Sequence, residues 1–170
     1  MGMTGCATAP RQQLLERSAA YVAYSLPPEQ VLQVARELLQ EQGYILMESR
    51  DPLYVRTSWQ TKFDDSLDVG ALRVRMFVMG KELEDGRFAL TAYRATYTTI
   101  GRTAPHPAET QKNDETPGVQ RMVKGDPLSY VHPEIVRDLD LEWQILSRVS
   151  PSVAHALESQ VDQYLATKSK

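Results

Sequence analysis

The chain has 170 residues, 42% hydrophobic and 24% charged, with a formal net charge of −3. That length supports one domain with a sizeable core, and the mild acidity offers no global attraction for nucleic acid, whose binders carry clustered basic surface. No run approaches the ~18 apolar residues of a membrane-spanning helix, and the single cysteine, Cys6, excludes an intrachain disulfide and a closed zinc site built mainly from cysteines.

Residues 1–10 are small and polar and lack periodicity, which predicts a flexible tether. Residues 11–17 read as a polar lead-in. Ala19 to Leu26, with Tyr21 and Tyr24, is expected to form a first strand; a helix continued from Arg11 is the competing reading, and Pro27-Pro28 ends either one. From Pro28 the spacing of Val31, Val34, Ala35 and Leu38, widened by Leu32 and Leu39, predicts an amphipathic helix that Gly43 stops. Two strands are predicted next, over 44–48 and 53–59, joined by a turn at Arg50-Asp51-Pro52. If the parity of Leu53, Val55 and Thr57 continues, Trp59 is buried against the helix.

Residues 60–70 are polar and acidic and read as a loop. Residues 71–79 alternate, with Leu72, Val74, Met76 and Val78 on one face and Arg73, Arg75 and Phe77 on the other. Asp85-Gly86 marks a hairpin turn within 80–86, and 87–99 is a long strand whose core parity is ambiguous, because Phe88 and Leu90 share a face with Arg94. Residues 101–126 hold several proline and glycine breaks and few large apolar side chains, the composition of a long exposed loop. Two helices are predicted to close the chain. The first carries Ile135, Val136, Leu139, Trp143, Leu146 and Val149; the second is capped by Ser150-Pro151 and carries Val153, Leu157, Val161 and Tyr164.

The predicted order is β-α-β-β-β-β-loop-α-α. Short turns between successive strands imply an α+β fold, an antiparallel sheet of about five strands with helices packed on one face. The chain divides into a tether (1–10), a core (11–100), a loop (101–126) and C-terminal helices (127–170).

Catalytic chemistry finds few footholds. Asp64 and Asp65 are neighbours in a polar loop, where facing geometry and a shifted pKa are seldom reached. His106, His132 and His155 are scattered without ligand spacing, and no serine or cysteine motif accompanies them. No cofactor or metal is implied. Trp59, Trp143, Tyr44 and Tyr97 could stack a ligand, but such spacings suit a core or its rim. Arg56, Arg73 and Arg75 fall on the sheet face opposite Val55, Leu72 and Val74. That face reads either as an ordinary solvated surface or as a docking surface for an acidic partner or lipid headgroup.

Two resemblances bear on location. Met3-Thr4-Gly5-Cys6 resembles the lipobox of bacterial lipoproteins, with Met3 where leucine is usual. The resemblance implies cleavage before Cys6, acyl chains on Cys6 and, with Ala7 following, an outer-membrane destination; a free thiol on the terminus is the alternative. Gly43-Tyr44, the turn at Asp51 and Thr57-Ser58-Trp59, followed by alternating arginines, is similar to the helix-grip domains of outer-membrane lipoproteins related to the C component of the β-barrel assembly machinery. It covers roughly Ala19 to Thr99 and implies a non-enzymatic, periplasm-facing accessory or scaffolding lipoprotein. The rival expectation is a helix-grip module that binds a small apolar ligand or lipid between helix and sheet.

Overall fold

The computed structural model describes residues 8–62, 72–98 and 134–168. Four helices lie among them: α1 (Thr8–Ala19), α2 (Pro28–Glu41), α3 (Leu139–Val149) and α4 (Pro151–Lys168). Six strands, β1 (Leu46–Met47), β2 (Tyr54–Thr57), β3 (Gln60–Lys62), β4 (Leu72–Glu82), β5 (Phe88–Thr98) and β6 (Glu134–Arg137), form an open antiparallel sheet. Its order is β1-β2-β4-β5-β6, with β3 paired to β4. The α+β class and the antiparallel sheet are as the sequence predicts.

Packing divides the chain into two units. The first holds the helices, β1, β2, and the parts of β4 and β5 within Met76–Tyr93; the second holds Trp59–Arg75 and Arg94–Val136. In the first unit the helix stripe forms as expected. Val31, Leu32, Ala35, Leu38 and Leu39 of α2 are buried, and α2 packs on β1, β2 and α3. Pro28 sits in the first turn, where a missing N–H is harmless. Gly43, at φ 83°, ends the helix. The Gly43 N–H donates to Gln40 and the Tyr44 N–H to Leu39, both at 2.9 Å. This is the Schellman arrangement, and it brings the buried Tyr44 against the buried Leu39 end of the stripe.

Opposite α2, Val55 and Thr57 of β2, Met76 and Val78 of β4, and Phe88, Leu90 and Ala92 of β5 are buried. Alternation thus holds through Ala92. In the second unit Ala95 is buried and Arg94 exposed, so the phase has shifted and the parity conflict of Arg94 with Phe88 disappears.

Several expected boundaries are corrected. The chain opens on two helices, and 19–26 is no strand: α1 runs to Ala19 because Leu15 and Ala19, four residues apart, both find burial against its neighbours α3 and α4. Only Tyr24 keeps a strand-like bridge, exchanging N–H···O bonds of 2.7 and 2.8 Å with Phe88. Helix from Thr8 also removes 8–10 from the expected tether. Gln60–Lys62, expected in a loop, pairs with β4 through backbone bonds that its polar side chains do not announce. β4 continues through Glu82, and the turn is 83–87, with Gly86 at φ 80°.

Ile135 and Val136 belong to β6 and are exposed rather than helical. The helix waits for Asp138, whose carboxylate accepts from the Leu141 N–H at 3.0 Å. In α4 the buried pair is Ala154 and Val161, whereas Val153 and Tyr164 are exposed. Ser150 is the joint between α3 and α4: its N–H donates to Leu146 and its carbonyl accepts from Ala154.

Candidate docking face of the sheet

The outer face of the first unit follows from the pleat. Residues between the buried positions point the other way, and pairing aligns them into rows: Met47 opposite Arg56, Arg56 opposite Phe77, and Tyr54 opposite Met79. The Tyr54 and Phe77 rings stack with centroids 6.1 Å apart. Ile45, just before β1, has the parity of Met47 and is fixed by its carbonyl, which accepts from the Ser58 N–H. Ile45 is 71% exposed, Met79 50% and Met47 43%. Three large apolar side chains and a stacked aromatic pair therefore share one face with Arg56.

Arg56 is half-buried, and its Nε and Nη2 both donate to the Glu48 carbonyl at 3.3 and 3.1 Å. Among the described residues that carbonyl is its one partner. A guanidinium has five N–H donors in a plane, so Arg56 is oriented by the β1–β2 connection yet keeps donors for a carboxylate.

Arg73 and Arg75 belong to the second unit, so the three arginines read together in the sequence divide as one and two. Arg73 is exposed. The Arg75 guanidinium lies over the Trp59 ring, 5.8 Å from its centroid. Trp59 is half-buried, not a core residue. β2 ends at Thr57, the Ser58 N–H turns to Ile45, and the parity of Val55 and Thr57 stops there.

The buried polar centre of the first unit lies on its other side, and the sequence did not single it out. Glu142 of α3 is 1% exposed. Its Oε1 accepts from the Ala92 N–H at 2.9 Å and from Arg137 Nε at 2.8 Å, and its Oε2 from Arg137 Nη2 at 2.9 Å. Arg137 also donates to the Ala20 carbonyl, and the Asp138 N–H donates to the Ala92 carbonyl. The first turn of α3 thus takes both backbone groups of Ala92, joining α1, β5 and α3. Burial raises the Tyr24 phenol well above its ordinary range, and the nearby Glu142 charge adds to the shift.

His155 is exposed on α4, 3.5 Å from Glu158. Among the described residues no three His, Cys, Asp or Glu side chains gather as a metal ion requires. An open depression on the polar side of α2 is lined by Glu29, Gln30, Gln33, Arg36 and Pro52. Val31, Leu32 and Leu39 on the inner side of α2, and Val78 and Phe88 on the inner face of the sheet, are all essentially inaccessible. Cys6, Asp64, Asp65, His106, His132 and the 101–126 segment lie outside the described residues. Compared with known protein families and with curated proteins, the chain matches no family model and no curated protein.

Proposed function

We propose that this protein is a non-enzymatic cell-envelope lipoprotein, anchored through acyl chains on Cys6 to the periplasm-facing side of the outer membrane, with a scaffolding role in envelope assembly. The observation that carries the docking half of this reading is the outer face around Arg56. Contiguous exposed apolar surface on a small protein marks an interaction site, and interface cores favour aromatic residues, methionine and arginine. Ile45, Met47, Tyr54, Phe77 and Met79 about Arg56 have that composition. The occupant we assign is an envelope protein with apolar side chains around a carboxylate.

Two further points favour scaffolding over chemistry or ligand storage. Of the two buried carboxylates described, Asp138 caps α3 through the Leu141 N–H and Glu142 spends both oxygens on Arg137 and Ala92, which suits joints rather than an acid or base. Core side chains fill the helix–sheet interface where an apolar ligand would sit.

A photo-crosslinking amino acid at Met79, compared with one at the exposed His155 of α4, tests the reading in cells expressing the full-length protein. Discrete protein adducts from position 79 alone are expected. Adducts from position 155 only, or none at position 79, would remove the docking face. Mass spectrometry of Cys6 tests the anchor separately.

A further inference from the structure

A second surface lies where α1 begins. Thr8 is the first residue of a helix and stands two residues after Cys6. Two residues of chain span at most about 7 Å, and a helix cannot extend to add reach. Whatever holds Cys6 therefore holds α1 close to it.

One turn into α1, Arg11 forms a two-pronged pair with Asp162 of α4, Nε to Oδ1 at 2.6 Å and Nη2 to Oδ2 at 3.0 Å. The hydrogen bonds from Arg11 hold the Asp162 carboxyl below the usual carboxylate range, so it stays ionised and paired. Tyr164 follows two residues later, ~3 Å along the helix axis, and Lys168 ~9 Å along it. Tyr164 is 47% exposed, and the Lys168 ammonium lies 5.0 Å from its ring centroid. An aromatic ring with a polar tip beside a long-stemmed ammonium is the chemistry that settles at the headgroup layer of a bilayer. The ring occupies the boundary and the lysine reaches phosphate.

We propose that the α1 start and the α4 end rest on the membrane that holds Cys6, with Tyr164 and Lys168 contacting phospholipid headgroups. This inference rests on acylation of Cys6. Its consequence is orientation: the body sits flush on the bilayer instead of swinging on a tether. The far end of α1 leads through Tyr24 to Phe88 and the 83–87 turn. α1 itself is twelve residues long, ~18 Å of helix.

The test uses the full-length protein, purified from membranes and reconstituted into vesicles of phosphatidylethanolamine and phosphatidylglycerol. Acylation of Cys6 leaves an introduced cysteine as the one free thiol. An environment-sensitive fluorophore on Thr167→Cys should shift to the blue and brighten in vesicles, while the same label on Glu84→Cys should not. Adding Tyr164→Ser and Lys168→Glu should abolish the shift at 167 while the protein stays in the membrane fraction. Equal, water-like spectra at 167 and 84, with acyl chains confirmed on Cys6, would overturn the orientation and leave the anchoring reading intact. A Cys6 without lipid would overturn both.

Discussion

Arg137 closes β6 and Arg56 lies within β2, and the first unit uses the two guanidiniums in opposite ways. Arg137 answers a buried carboxylate: Glu142 takes two of its N–H groups and the Ala20 carbonyl, just past α1, a third, while Glu142 in turn ties α3 to β5 through the Ala92 N–H. Arg56 answers a single backbone carbonyl, that of Glu48, and stands among exposed apolar side chains. A buried carboxylate must be satisfied internally, because without its partner it would stand as a bare charge in low dielectric. A rim charge among apolar neighbours can be satisfied from outside. The same residue type thus marks a structural joint on one side and a docking face on the other.

The largest expected effect lies at the joint. Glu142→Ala should lower stability by roughly 2–3 kcal/mol, since it leaves the buried Ala92 N–H without its acceptor and removes the charged partner of Arg137. Arg137 is 38% exposed along its side chain, so water offsets part of the loss. A urea titration showing less than about 1 kcal/mol lost would place Glu142 among ordinary surface residues and erase the comparison.

Adjacent positions on β4 carry the same contrast. A Cβ on Gly80 would run into the buried Phe88 ring and sit 3.2 Å from the Leu53 carbonyl oxygen, so Gly80→Ala should cost roughly 1–3 kcal/mol by overpacking. Met79→Ala, one residue away on the exposed face, should stay within about 0.5 kcal/mol of wild type. Equal losses by thermal unfolding would mean that both faces are packed alike.

Alkali offers a third probe of the joint. Burial, with Glu142 nearby, raises the Tyr24 phenol in the folded state above its unfolded value. Its contribution to stability is therefore complete below the unfolded pKa of about 10 and is lost as pH rises through the folded one. Tyr24→Phe should flatten the fall in melting temperature above about pH 10 and leave the neutral range unaffected by titration. An identical alkaline profile in the variant would show that Tyr24 ionises without penalty.

The joint and the docking face were unequally legible in the sequence, for physical reasons. Local signals, such as the 31–39 stripe, the Gly43 stop, the alternation of 72–78 and the Asp85-Gly86 turn, act over a few residues and survive into the structure. Glu142 looks like any solvated glutamate on a helix, because its burial depends on Arg137 and on Ala92, fifty residues away. Asp138 with acidic Asp140 and Glu142 after it was a readable helix start, but the apolar Ile135 and Val136 before it suited helical spacing too. Arg56 was readable by parity alone; its division from Arg73 and Arg75 was not, since strand periodicity carries no information on which unit a residue joins.

The smallest expected change in stability belongs to Arg56 itself, and its effect on binding should be large. Arg56→Gln gives up hydrogen bonds to the carbonyl of the exposed Glu48, so unfolding should shift by no more than about 0.5 kcal/mol. Association with the partner captured at Met79 should be lost, and in the wild type should weaken with added salt, because the guanidinium meets a carboxylate at the rim of the patch. Arg56→Lys separates charge from shape: an ammonium keeps the charge but cannot offer the flat two-pronged donor set. If Lys restores binding fully, the face needs only a positive charge, and the orientation imposed by Glu48 is incidental. If Lys fails like Gln, the fixed plane of the guanidinium is what the partner reads. Arg73→Gln and Arg75→Gln, made separately in the second unit, should leave this association near wild type. Loss of binding through either, with Arg56→Gln still binding, would move the docking surface to the second unit and reverse the assignment.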